Sequence, residues 1–276
     1  MIILIVIGLF AAIVNGALGY GFSSLVVPNA LLFYTNKEIA PALVLMELVV
    51  NAFIVIMNRR SLTNVWRRVV PIVAGLVPGI LIGSYALYAV DSGWLKFFTY
   101  VVILPLILFQ AAGFRRPIIA ERKVWFPLGV GIGLLYSTTT ISGPPLAMMF
   151  NNQGLKKEDF KAALGLVRVA ETTMTAIAYF FLRLYIPSNA TMLSYLVPGV
   201  IVGLPLGAYV IRHLNAETFR RICMSFDAWV VGFGLSRTVI DLKVLTSPAG
   251  YAILFAVVII DAYLLYQYFV VRRGKK

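Results

Sequence analysis

The stretch YSTTTISGPPLAMMFNNQG, residues 136–154, places Gly143-Pro144-Pro145 inside a run that is otherwise apolar from Val124 to Phe150. Two adjacent prolines remove two backbone donors and cannot sit in a helix interior. The fold turns on the meaning of this break. It is either a kink in one crossing helix or the tip of a segment that enters a bilayer and turns back.

The surrounding composition fixes the solvent. Of the 276 residues, 61% are hydrophobic and 13% charged, and the mean hydropathy is +0.90, far more apolar than a soluble core of this size requires. The lipid bilayer is therefore the main partner. The net charge of +13 does not indicate nucleic acid, because the Lys and Arg residues cluster in short connections between apolar runs and so report topology. Cys223 is the only cysteine and His213 the only histidine. No disulfide framework, cysteine metal site or HExxH-type spacing is present, so no metal, cofactor or catalytic residue is expected. The first residues, MIILIVIGLFAAIVNGALGYG, lack a basic leader and are read as mature structure.

Nine apolar segments run over 2–33, 39–57, 69–90, 94–114, 124–150, 162–182, 191–211, 222–235 and 249–271. Most suit one crossing of about 20 residues. The first and fifth are longer, and each is interrupted, by GALGYGFSS (16–24) and by SGPP (142–145). They also open the two copies of an internal duplication. Gly75, Gly79, Gly83 and Tyr85 recur 124 residues later as Gly199, Gly203, Gly207 and Tyr209, while Pro28 and Phe33 pair with Pro145 and Phe150 at an offset of 117.

Charge decides the orientation of the copies. If all nine segments cross, the two sides carry 12 and 11 basic loop residues and no orientation is favoured. If the two interrupted segments return as hairpins, Lys37, Lys96, Arg183, Arg237 and Lys243 fall on one side and 18 Lys and Arg on the other. By the positive-inside rule the N-terminus is then external and the C-terminus cytoplasmic. The expected fold is an all-α integral membrane protein, a single transmembrane transporter domain over 1–276. It contains two inverted repeats, 1–116 and 122–238, each a broken or re-entrant hairpin plus three transmembrane helices, and an extra C-terminal helix at 247–272.

Lipid cannot satisfy the backbone groups at a hairpin tip, so the tips must be buried in protein or line a wet cavity. That makes Gly19, Gly21, Ser23 and Ser24 in the first repeat, and Ser142, Gly143, Pro144 and Pro145 in the second, candidate substrate-binding residues. Pro145 is expected to start the second hairpin's return helix, with the amides of Leu146 and Ala147 free to hold an anion. Charged residues inside crossings are costly and mark aqueous paths or buried pairs. Arg168 is read as an anion contact and Glu47 and Glu171 as coupling carboxylates, since the repeat maps Glu47 onto Arg168 or Glu171. Mutual neutralisation of Arg168 and Glu171 as a structural pair stands beside that reading. Asp261 is expected to be a structural or interface polar group, Asp227 is unassigned, and Asn15, Asn51 and Thr175 are read as polar glue between helices.

ISGPPLAMMFNNQGLKKEDFKAAL and NGALGYGFSSLVVPNALL together resemble the sulfite exporter TauE/SafE family over nearly the whole chain. The chain departs from the family's glycine triplet at Gly21-Phe22-Ser23. The resemblance implies transport of a small organic or sulfur-containing anion (sulfite, sulfoacetate or a related anion) across a prokaryotic inner membrane, and supports a homodimer. A passive anion channel uses the same dipole ends, and an intramembrane enzyme lacks a nucleophile with its base here.

Overall fold

The computed structural model describes residues 2–18, 21–57, 59–112, 124–151, 157–213 and 216–271. The described residues are almost entirely helical: α1 (Ile2–Leu18), α2 (Phe22–Ala30), α3 (Asn36–Met57), α4 (Leu62–Ala89), α5 (Ser92–Ala111), α6 (Trp125–Thr139), α7 (Gly143–Asn151), α8 (Lys157–Phe181), α9 (Pro187–Val210), α10 (Ala216–Asp241) and α11 (Ala252–Tyr266). Five stretches, Arg59–Ala89, Ser92–Phe109, Glu158–Phe181, Pro187–Val210 and Ala249–Val270, are long and apolar enough to cross a bilayer. With 61% hydrophobic residues and these five spans, this is a multi-pass membrane protein.

Both interrupted segments are a long helix, a break and a helix of nine residues. Glycine is required at the first break, where Gly21 has φ 102° as it caps α2. At the second, Thr140 takes the left-handed conformation (φ 58°) after α6. Its side chain and that of Thr139 bond locally, and Thr139 Oγ1 accepts from the Ile141 amide at 3.1 Å. These bonds occupy backbone groups that lipid would leave bare.

The second break differs in detail from the sequence expectation. α7 starts at Gly143, not Pro145, because the first turn of a helix has no use for its own amides and tolerates proline at those positions. The Leu146 amide is not free either, donating to Ser142 O at 3.1 Å. The first turn of α7 thus spends the Leu146 amide on the helix itself rather than leaving it for an anion.

Close backbone approach sets the helix pairing. A methyl group added to Gly75, Gly79 or Gly83 of α4 would collide with α6, against Phe126 O, Val130 O and Ser137 Oγ in turn. On α9, one added to Gly199, Gly203 or Gly207 would collide with α1, against Leu9 and then Ile13 O. The contacts advance in step, so α4 runs parallel to α6 and α9 parallel to α1. Each glycine helix therefore packs on the long arm of the interrupted segment in the other half of the chain.

Hydrogen bonds identify the two ends of the bundle. Lys37 Nζ donates to Tyr88 O (3.0 Å) and Asn189 Nδ2 to Glu38 O (2.5 Å), bringing together the starts of α3 and α9 and the end of α4. At the other end Asn64 Nδ2, in the first turn of α4, donates to Asp159 Oδ1 in the first turn of α8 (3.3 Å). Running parallel to α9, α1 starts from the first end, and α2 leads back to it. By the same reasoning α6 starts from the second end, and α7 leads back toward the start of α8.

Two principal cores result. One joins α1 and α2 to faces of α3, α5, α9 and α10, with Val14, Leu25, Leu43, Ile107 and Val231 buried. The other joins α4, α6, α7 and α8 around Ile72, Leu76, Leu146, Phe150 and Val167. A smaller cluster containing Val44, Tyr136 and Tyr179 lies where α3, α6 and α8 meet.

The glycine seams give the first prediction. Gly79→Val and Gly207→Val should each lower the detergent melting temperature or abolish a monodisperse elution peak, since overpacking a close seam costs about 1–3 kcal/mol or more. Gly131→Ala, where the added methyl meets nothing within 4 Å, should elute as wild type. Equal behaviour of all three would contradict the backbone contacts described.

Candidate functional site

The charged trio forms one buried cluster. Glu47 lies in α3, and Arg168 and Glu171 one turn apart in α8, with relative exposures of 2%, 4% and 0%. Arg168 Nη2 donates to Glu47 Oε1 at 2.8 Å. Its contact with Glu171 is longer, Nε standing 3.9 Å from Oε1. The closest ionic partner of Arg168 is thus 121 residues away, although Glu171 is its neighbour on the same helix face.

Both breaks reach this cluster. Ser23 of α2 donates through Oγ to Glu47 Oε1, and Ser142, just before α7, donates through Oγ to Glu171 Oε1. Tyr136, in the last turn of α6, donates through its hydroxyl to Glu47 Oε2 at 2.8 Å. Glu47 therefore accepts from three donors, whereas Glu171 Oε2, Arg168 Nε and Ser24 Oγ have no hydrogen-bond partner. Two ionised carboxylates and one guanidinium leave an excess of one negative charge when no proton or ligand is added. Such an excess is costly away from water.

The polar residues read as glue behave differently. Asn51 lies one turn beyond Glu47 on α3, and Thr175 one turn beyond Glu171 on α8. Both are fully buried, and neither amide atom of Asn51 nor the hydroxyl of Thr175 has a partner. α3 runs from the first end of the bundle toward the second, and α8 runs back. These unpartnered groups therefore extend from the cluster in opposite directions. Asn15 Oδ1 on α1 is likewise unpartnered.

Of the remaining sequence candidates, Gly21 caps α2 and Gly143 opens α7. Pro144 and Pro145 act through the backbone, as residues without amide donors in the first turn of α7. Gly19 lies outside the described residues. Tyr136 was missed by the sequence reading, although it begins the stretch that decides the fold, because an aromatic residue in an apolar run looks like core packing. Asp261 accepts from Ser225 Oγ (2.8 Å) and Trp229 Nε1 (3.0 Å), tying α11 to α10. Asp227 on α10 is fully buried, with both carboxylate oxygens unpartnered. Among the described residues no group of three His, Cys, Asp or Glu side chains is placed to hold a metal.

Comparison with known proteins points the same way. Over 176 residues the chain is 24% identical to the probable sulfite/organosulfonate exporter TauE of Cupriavidus necator, an alignment covering 62% of this chain and 67% of that protein. No solved structure matches. Residues 4–233 match the family described as Sulfite exporter TauE/SafE, a span that contains both breaks and the whole Glu47–Arg168–Glu171 cluster, and the chain therefore belongs to the sulfite exporter TauE/SafE family of membrane transporters.

Proposed function

We propose that the protein is a secondary transporter of the prokaryotic inner membrane that moves a small sulfur oxyanion or organosulfonate, with Arg168 as the anion contact and Glu47 and Glu171 as coupling carboxylates. One observation carries the reading. A buried guanidinium sits at the meeting of two helix breaks, held by one carboxylate at 2.8 Å, with its Nε making no hydrogen bond and standing 3.9 Å from Oε1 of a second carboxylate whose other oxygen is unpartnered. A planar donor fork matches two oxygens of a sulfite or sulfonate as it matches a carboxylate. The substrate and Glu47 then compete for the same donors.

That competition supplies the coupling. A proton on Glu47 weakens its hold on Arg168 and frees the fork for the anion. A proton on Glu171 removes the excess negative charge that repels one. Anion and proton occupancy therefore rise together, and net movement follows both gradients. Ser23, Ser142 and Tyr136 keep the carboxylates oriented through the exchange, and the unpartnered Asn51 and Thr175 extend the polar surface from the cluster in opposite directions.

The architecture proposed with this function is the inverted duplication, each copy a re-entrant hairpin and three crossings, with the N-terminus outside and α11 added. Its support is the reciprocal packing of α4 on α6 and of α9 on α1, and the 18 to 5 partition of basic residues. Glu47 then pairs with Glu171, and Asn51 with Thr175, at the offset of the glycines. The first helical bonds after each break, Leu25 N to Gly21 O and Leu146 N to Ser142 O, align the hairpins at 121. Pro28 accordingly lies one turn past the position matching Pro145.

Several outcomes test these statements. In proteoliposomes, Arg168→Lys should reduce sulfite or sulfoacetate affinity roughly tenfold, the order expected when one charge-assisted bond is lost. Wild-type flux in an Arg168→Ala, Glu171→Ala double variant would reduce the pair to a structural role. Glu47→Gln and Glu171→Gln should each retain anion exchange while net flux loses its dependence on the pH gradient. PH-driven accumulation surviving in both variants would clear these carboxylates of coupling.

For topology, Ser188→Cys and Thr63→Cys, both at exposed positions, should label with an impermeant maleimide from outside and only after permeabilisation, respectively. Labelling of both from one side would remove the hairpin arrangement. A homodimer completes the proposal, with the largely lipid-facing α11, apolar at Phe255, Ile259 and Tyr263, as one available surface. A detergent-corrected mass of one chain, 30.5 kDa, would overturn it.

A further inference from the structure

Two further cations lie together away from the central cluster. Between the start of α5 and the end of α10, closed on one side by the turn after α2, is a cavity of about 380 Å³ lined by Lys96, Arg237, Ser92, Thr35, Tyr100 and Asp241 among others. Lys96 is in the second turn of α5 and Arg237 one turn before the end of α10, so two helices 141 residues apart bring two cations to one space. Among the described residues neither makes a salt bridge or donates a hydrogen bond, and their donors are unspent. The nearest carboxylates do not remove this capacity. Glu38 and Asp241 act on Lys96 at longer range, and Glu38 Oε2 already accepts from the Thr35 amide and hydroxyl, both at 2.8 Å.

The floor is rigid. The Tyr100 ring sits where any side chain on Gly234 would be, and its hydroxyl donates to Pro28 O in α2 at 3.1 Å. The cavity is thus built on the return arm of the hairpin whose Ser23 holds Glu47. Its volume falls within the range of small-molecule sites. Like charges kept adjacent without a bonded counterion, beside a hydroxyl at Ser92, are a receptor for an oxyanion.

We propose that this cavity is a second, peripheral anion site, binding a sulfonate, sulfite or phosphate group between Lys96 and Arg237. Its position in the transport route rests on the reading above: in that orientation it opens outside and serves as the vestibule between the central cluster and the external solution. The oxyanion chemistry is shared by a free anion and by the phosphate of a lipid headgroup.

The test places a fluorophore on Ser92→Cys in a Cys223→Ser background, in uncharged detergent, and titrates sulfoacetate, sulfite and inorganic phosphate. A saturable response is expected, weakened at least tenfold by Lys96→Gln with Arg237→Gln and held within about twofold by Arg168→Lys. No response to any of the three overturns the proposal. If wild-type proteoliposomes still carry sulfoacetate, only the vestibule falls and the transport reading stands. A response lost in Arg168→Lys but kept in the double variant also overturns it, because the signal then comes from the central cluster. A response dependent on Lys96 and Arg237 in a protein without flux supports the site and removes the transport reading instead. Repeating the titration in phosphatidylglycerol and phosphatidylcholine nanodiscs separates the sources. Loss of response only in the anionic lipid assigns the site to a headgroup, and an unchanged response assigns it to the free anion.

Discussion

Hydrocarbon offers no hydrogen bonds, and this membrane protein buries two helix breaks beside a cluster of three charged side chains. Either kind of group alone is expensive there, several kcal/mol for an unsatisfied backbone polar group and about 2.5–3.5 kcal/mol for a charge even on insertion scales. The structure solves both at one place. Ser23 and Ser142, each at a break, donate to Glu47 and Glu171, and Glu47 holds Arg168. The breaks bring hydroxyls that straight helices would direct elsewhere, and the carboxylates give those hydroxyls acceptors.

The same arrangement locates the cluster mechanically. Glu47 is carried by α3, which contributes to the core around the first hairpin, and Arg168 and Glu171 by α8, in the core around the second. The Glu47–Arg168 bond therefore spans the boundary between two packed bodies. Cores of this density move as units more readily than they deform. A displacement of one core against the other acts on that bond, and a change in the charge of that bond acts on the boundary.

Much of this was legible in the sequence, for physical reasons that differ by element. The breaks were visible because proline and glycine restrict or free the backbone locally, whatever surrounds them. The charged trio was visible because Glu47, Arg168 and Glu171 stand out in apolar helices. Glycine spacing in α4 and α9 signalled close approach, but not that each would meet the other half of the chain. Pairing across such distances depends on how all the helices assemble. The start of α7 was misplaced by two residues because the tolerance of a first turn for proline outweighs proline's effect on the residue before it. Tyr136, and the isolation of Asn51 and Thr175, depend on side chains from other helices and leave no local pattern.

Reciprocal packing also bears on the order of assembly. During synthesis α1 and α2 emerge well before α9, yet the glycine face that fits α1 belongs to α9, about 190 residues later in the chain. α4 waits only until α6 follows it. The second core can therefore close while the tail is still being made, whereas the first hairpin must be kept from other partners until α9 is inserted. A chain ending before α9 would leave α1 without its seam, so the early half of the molecule depends on the late half for its own completion.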